Sequence, residues 1–310
     1  MENKLEFENR LKDYIGNPYI VIFNNTKKAF EVAYEIIKKE TKKESLTIIC
    51  PVNCEIEKET VINADIDPNN GNIFMLSILD KLENNIIDAI QVKHNGGRPV
   101  DLNDLINIQK KYNNIPIIED CTEAFGSEYN NKKLGNHNNI CVFSMQIFNE
   151  LSNNVCGILA LPDNESYLFA KSKQLNVSYE ITSHAMIYIT HINEIINTMS
   201  RHAVYYYQNI KSNYVISMPY NKNKNLNFSY GIRVKFKDEF IHYMKSKNIE
   251  VKQTVHDSSS SVYPLYNIYN NQTVFLPVGW WLTSDEIKHI VHSINTFYVR
   301  FPLEYNNCVY

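Results

Sequence analysis

The chain has 310 residues, 44% hydrophobic and 21% charged, a length and composition that suit one large or two ordinary globular units with a sizeable core. A formal net charge of −3 makes no case for a nucleic-acid partner, and no run approaches the roughly 18 apolar residues of a membrane span. The N-terminal stretch MENKLEFENRLKDYIG is charged and amphipathic and has no apolar leader core, so a cytoplasmic protein is expected.

Residues 2–14 have helical periodicity, broken by Gly16 and Pro18. YIVIF (19–23) is a short apolar strand, and Asn24-Asn25-Thr26 can cap a helix over 26–41, whose KKETKK end reads as a solvated face. SLTIIC is a strand ending at Pro51, and TVINADID (60–67) is another, ending in two carboxylates. Residues 73–82 read as a helix and 85–92 as a strand that ends at Lys93-His94; a further helix starts near Asp101, after Gly96-Gly97 and Pro99. IPIIED (115–120) is a continuous apolar strand. VFS, ending at Ser144, and GILAL, starting at Gly157, are two more, joined by a loop without Lys, His or Arg. Residues 164–176 and 183–209 read as helices, 228–236 and 248–255 as strands flanking a helix at 237–247, and 283–298 as a closing helix. All-apolar strands alternating with helices predict an α/β fold with a mostly parallel sheet buried on both faces and a site at the strands' carboxyl ends. The chain divides into a large domain, 1–212, and a small α+β domain, 213–310.

Glu119-Asp120 closes a buried strand, where a carboxylate can act as general base, metal ligand or partner of a protonated ring nitrogen. Asp120 with Glu123 three residues on is equally a capping-box spacing. The six cysteines are scattered through apolar segments and are expected to be reduced and buried. Cys50 and Cys54 lack a second ligand pair at zinc spacing, so no metal is expected. Trp280-Trp281 and Tyr205-Tyr206-Tyr207 read as core or interface packing, and Ser258 to Ser261, after His256-Asp257, as a loop.

IIEDCTEAFGSEYNNKKLGNHNNICVFS (117–144) closely resembles the signature of the DegT/DnrJ/EryC1/StrS family of pyridoxal-phosphate (PLP)-dependent sugar aminotransferases. In that family an E-D-A-x-A-x-G-x-x-Y stretch, a k-x-G turn and a d-x-x-x-F-S strand follow in this order. VKHNGGRPVDLNDL (92–105) is similar to the family's v-H-x-x-G-x-x-x-d-m-d-x-I segment through His94, Gly97, Pro99 and Asp101. LEFENRLKDYIG resembles its N-terminal helix, MSRHAVYYYQNI its long connecting helix, and GIRVKFKDEFIHYMKSKNIEV with LPVGWWLTSDEIKHIVHSI its C-terminal domain.

The resemblance implies a fold-type I PLP-transferase-like architecture, a dimer, and PLP at the carboxyl edge of the sheet. Position by position, Asp120 matches the carboxylate that pairs with the pyridine nitrogen, and Glu123 falls where the family usually has a Gln beside the ring hydroxyl. Ser144 matches a hydroxyl that helps hold the phosphate. Asn25 and Thr26 occupy the region where amides at a helix N-terminus receive it, here without the family's glycine. Asn176 matches the Asn that reaches into the partner subunit's site.

Two features depart from the pattern. Five residues beyond Ser144, where the family carries its Schiff-base lysine, stands Asn149, and Gly157 fixes the register on the far side. Asn forms no imine, and loss of a positioned acid–base group typically costs about 10²–10⁴ in rate. The segment VNCEIEKETVINA, between Pro51 and Asp65, is also shorter than in the family, which places there an aromatic ring that stacks on the cofactor, a contact worth about 1 kcal/mol. The expectation is a family member of nucleotide-sugar or amino-sugar biosynthesis that does not form the Schiff base. It would bind a nucleotide sugar, or partner an active paralogue, as a homodimer or heterodimer. The alternatives are an active aminotransferase and a lysine-independent sugar dehydratase, with PLP or PMP held non-covalently. Each needs another base, for which His94 and Lys93 are nearest in sequence. A chain with no cofactor stands level with these.

Overall fold

The computed structural model describes residues 2–54, 56–145, 156–218, 229–254 and 262–299. After helix α1 (Glu2–Ile15), strand β1 (Ile20–Phe23) is buried along its whole length and runs into α2 (Thr26–Thr41). Asn25 is the N-cap of α2 and accepts the Lys28 N–H at 2.7 Å, satisfying one of the amides left over at a helix start. Ala29, Val32, Ala33, Ile36 and Ile37 recur at three- and four-residue spacing and give α2 the buried stripe that lies on the sheet.

The chain continues through β2 (Thr47–Pro51), β3 (Thr60–Ala64), α3 (Met75–Asn84), β4 (Ala89–Lys93), α4 (Leu102–Lys111) and β5 (Ile117–Asp120). A small hairpin follows, β6 (Glu128–Tyr129) and β7 (Lys132–Lys133), then β8 (Ile140–Ser144), β9 (Gly157–Ala160) and α5 (Asn164–Ser172). Seven strands form one sheet in the order β1-β9-β8-β5-β4-β2-β3. β8, β5, β4, β2 and β3 are parallel neighbours, while β9 runs against both β8 and β1. Successive residues of a strand face opposite sides, and the sheet uses both. Ile48, Ile118 and Val142 pack beneath α2, whereas Ile49, Ile90 and Val92 join α1, α4 and the later helices. Burial of each such side chain contributes about 1.5–3 kcal/mol.

α6 (Tyr179–Asn209) starts four residues before the expected 183, because Ser178 caps it by accepting the Ile181 N–H at 3.2 Å. At 1.5 Å per residue it is about 46 Å long. Its stripe through Ala185, Ile189, Ile192, Ile196, Met199 and Ala203 is buried. The remaining elements are β10 (Val215–Ser217), β11 (Tyr230–Val234), α7 (Lys237–Ser246), β12 (Lys252–Gln253), α8 (Pro264–Gln272), β13 (Thr273–Leu276) and α9 (Ser284–Thr296). Four of them form an antiparallel sheet, β10-β11-β13-β12. The boundary read at residue 212 lies in the link between α6 and β10.

The strand expected over 60–67 stops at Ala64, because Asp65 turns its carboxylate to the N–H groups of Leu265 (3.0 Å) and Tyr266 (2.8 Å) at the start of α8. α8 and β13 went unread in the sequence, although Pro264 in the first turn of α8 is a helix-start signal. The described cysteines, Cys50, Cys54, Cys121, Cys141 and Cys156, are free thiols, all buried but Cys54. Among the described residues no helix is long and apolar enough to cross a membrane.

Candidate functional site

Parallel pairing aligns the strand ends that the sequence singled out. Lys93 and Asp120 are directly paired across β4 and β5, Asp120 pairs with Val142 on β8, and Ser144 pairs with Gly157 on β9. Above this edge lies a cavity of about 980 Å³. Thr26, Lys93, Thr122, Glu123 and Ser144 line its sheet side, and Tyr266, Tyr269, Trp280 and Trp281 its other wall. Such a volume falls in the range of small-molecule sites.

At the N-terminus of α2, the Thr26 hydroxyl donates to Ser144 Oγ at 3.0 Å. Gly157 is there for a steric reason: a Cβ on it would stand 2.4 Å from the Asn25 carbonyl oxygen. The Asn25 side-chain oxygen is taken by the Lys28 N–H, so Asn25 serves the helix as its cap rather than offering that oxygen to the cavity. Thr26 and Ser144 are the pair that faces it. Asn176 is exposed, away from the cavity lining, and its carbonyl accepts the Asn24 side-chain amide at 2.8 Å.

No helix follows Asp120, so the capping-box reading of Asp120 and Glu123 does not hold. Asp120 Oδ1 accepts both the Thr122 N–H (3.0 Å) and its hydroxyl (2.6 Å). Burial raises the Asp120 carboxyl above its ordinary range, against the pull of Lys93 and Thr122. Asp120 borders a second groove of about 360 Å³, between α2 and the short 52–59 segment, with Phe30, Tyr34, Cys54 and Gln91.

Glu123 does something else. Its Oε1 lies 2.8 Å from the Lys93 ammonium, and its Oε2 accepts the Gly96 N–H at 2.8 Å. Burial alone would depress the Lys93 amine, but Glu123 and then Asp120 outweigh it and hold the ammonium above its ordinary range. Reciprocally, Glu123 is held below the usual carboxylate range, despite its burial, by Lys93 and the Gly96 N–H. On the motif resemblance, Lys93 falls at the apolar position before the His and Glu123 at the position of the usual Gln. The two departures form one ion pair. Reading each position against the motif could have found it, since both changes add a charge of opposite sign.

His94 is not available as a replacement base. It is fully buried, its Nε2 lies 2.8 Å from Glu119 Oε2, and its Nδ1 accepts the Val100 N–H at 3.0 Å. This network assigns a neutral ring that donates from Nε2 to the carboxylate. Glu119 Oε1 takes the Asn139 amide at 2.6 Å. His94, Glu119 and Cys121 lie within metal-ligand distance of one another, but the His and Glu donor atoms are spent on protein hydrogen bonds. Asn149 lies outside the described residues, as do His256, Asp257 and the serines that follow them.

Of the residues read as core or interface packing, Tyr206 is fully buried, whereas Trp280 and Trp281 lie outside this chain's own core, 43% and 52% exposed at the cavity rim. Tyr266 and Tyr269 belong to α8, the helix that the sequence reading passed over.

The sequence model of the DegT/DnrJ/EryC1/StrS aminotransferase family matches residues 2–177. UDP-4-amino-4,6-dideoxy-N-acetyl-beta-L-altrosamine transaminase of Campylobacter jejuni is 31% identical over 175 residues, 55% of this chain and 46% of that protein. The match thus spans about half the length of that relative. dTDP-3-amino-3,6-dideoxy-alpha-D-galactopyranose transaminase of Aneurinibacillus thermoaerophilus is 24% identical over 335 aligned positions, 94% of this chain and 89% of that protein. In fold, the chain is similar to a sugar aminotransferase of Micromonospora echinospora, with a TM-score of 0.83 and 21% identity over 96% of this chain and 92% of the other. It is also similar to a Helicobacter pylori aminotransferase involved in the biosynthesis of pseudoaminic acid, with a TM-score of 0.78 and 19% identity over 94% and 90%.

Proposed function

The chain belongs to the DegT/DnrJ/EryC1/StrS aminotransferase family, and from that premise we propose that it is a non-catalytic member working in the cytoplasm in nucleotide-sugar or amino-sugar metabolism. It binds a nucleotide sugar in the cavity, as a homodimer or as the partner subunit of an active paralogue, and forms no Schiff base. The relatives' names support the ligand class: UDP- and dTDP-amino-sugar transaminases and a GDP-perosamine synthase.

The observation that carries this reading is the Lys93–Glu123 pair beside Asp120. A PLP site keeps its aspartate for a protonated ring nitrogen, which makes the ring an electron sink. Here the Asp120 charge is already compensated in part by Lys93, itself paired with Glu123, so the carboxylate has less to offer a protonated ring nitrogen. Nor is Lys93 a ready tether, because its ammonium is engaged by Glu123 at 2.8 Å, which with Asp120 favours the charged form over the free amine that an imine needs. With Asn149 at the lysine position, the ring end of the site does not fit a covalently held cofactor. The phosphate end does fit, through Thr26 and Ser144 at the N-terminus of α2. That hydroxyl pair favours a second reading, a non-covalently held PLP or PMP in a lysine-independent aminotransferase or dehydratase.

Visible spectra with and without added PLP, before and after borohydride, test the proposal. We expect no reducible absorbance and no cofactor retained through gel filtration. A borohydride-trapped lysine overturns the reading, and retained but unreduced cofactor favours the second one. Asn149→Lys alone is expected to leave transamination absent, since the short 52–64 segment and the Lys93 cation remain; measurable turnover in that variant counts against the proposal.

A further inference from the structure

We propose that the indole of Trp281, with Trp280 edge-on beside it, is the stacking platform for the base of a nucleotide sugar at the cavity rim. The inference rests on the nucleotide-sugar reading above and names the part of the ligand that this wall takes. The cavity lining includes Lys93, Glu123, Thr122 and Ser144 at the strand ends, and Trp280 and Trp281 line it while remaining 43% and 52% exposed. A ligand that carries both a hydroxyl-rich ring and a flat π-system finds a partner for each in that lining. The exposed indoles leave two flat apolar rings within reach of a ligand in the cavity.

The platform is built rather than incidental. A Cβ on Gly279 would lie 2.3–2.4 Å from three atoms of the Trp281 indole, so the absent side chain is what lets the ring fold back over the backbone. Trp280 braces it, with ring centroids 6.0 Å apart at 81°. A ring held in one orientation loses little freedom when a base stacks on it.

The chain has two tryptophans, and both are in this pair. Intrinsic emission, excited where tyrosine does not absorb, therefore reports on this site and nothing else. The full-length protein is titrated with UDP-N-acetylglucosamine, dTDP-glucose, GDP-mannose, the matching nucleoside diphosphates and free N-acetylglucosamine, with calorimetry giving affinity independently of the fluorophore. At least one nucleotide sugar and its nucleoside diphosphate should quench the emission, while the free sugar should not. Trp281→Ala should weaken binding about tenfold, in the range of base–aromatic stacking, and Trp281→Phe should restore most of it. Gly279→Ala, which displaces the indole without removing it, should also weaken binding. Calorimetric binding with unchanged emission and an unaffected Trp281→Ala variant overturns the platform and leaves the nucleotide-sugar reading standing. Quenching by the free sugar overturns the assignment to the base. No heat from any nucleotide sugar overturns both.

Discussion

Taking an ammonium out of water disfavours its charge, so a lysine at the end of β4 needs a compensating carboxylate, and Glu123 at 2.8 Å supplies it. Removing one partner strands the other. Glu123→Gln or Lys93→Val alone should lower the unfolding free energy by about 1–2 kcal/mol, set below the value for a fully buried pair because solvent reaches both side chains, 19% and 35% exposed. The double variant, which returns both positions to the family pattern, should recover most of that loss. Urea unfolding of the four proteins measures the coupling directly, and additive losses would show that the pair does not act as one unit. Glu119 makes the corresponding pH prediction. Burial pushes its carboxyl up, but the His94 and Asn139 hydrogen bonds outweigh that and hold it below the ordinary 4.5. A folded value below the unfolded one means that its contribution is complete above about pH 4.5 and is lost as pH falls through the folded value. Glu119→Gln should therefore destabilise the protein by about 1–3 kcal/mol at neutral pH and flatten the acid limb of a urea-midpoint profile against pH.

Between elements, what holds the site together is a set of close approaches that sequence patterns record unevenly. The β1-to-α2 turn was legible because Asn25 is a cap residue before an amphipathic run, and the ends of β4 and β5 because their apolar stretches stop at charged residues. Gly157 was legible as a register mark, but only packing gives its reason. Gly157→Ala should destabilise by about 1–3 kcal/mol, as β9 and the start of α2 are forced apart, with the loss seen as a lowered urea midpoint. The cap on α8 was not legible at all, because its acceptor, Asp65, is 200 residues away from Leu265 in sequence and no local rule links them. Missing α8 also hid Tyr266 and Tyr269, two aromatic rings of the cavity wall. Asp65→Ala should cost about 1–2 kcal/mol, the range of a lost N-cap, and should increase amide exchange at the start of α8 before it affects β4 or β5.

At the scale of the whole molecule, the cavity exists only when residues from Thr26 to Trp281 are brought together, so the unfolded chain offers no competing site. Binding of this kind must stabilise the fold by mass action. A nucleotide sugar at a hundred times its dissociation constant should add about 2.7 kcal/mol to the unfolding free energy, read as a rise in urea midpoint or melting temperature that grows with ligand concentration. PLP at concentrations that saturate lysine-tethered aminotransferases should add nothing comparable, because Lys93 already compensates part of the Asp120 charge and Asn149 offers no tether. Reverting the ion pair with the Lys93→Val, Glu123→Gln double variant removes that cation without restoring a tether, so any PLP stabilisation it gains should be reversible on dialysis and leave no borohydride-trapped adduct. Should PLP stabilise the unaltered protein as strongly as the nucleotide sugar does, the hydroxyls of Thr26 and Ser144 dominate cofactor binding, and the cation at Asp120 is too weak an obstacle to carry the non-catalytic reading.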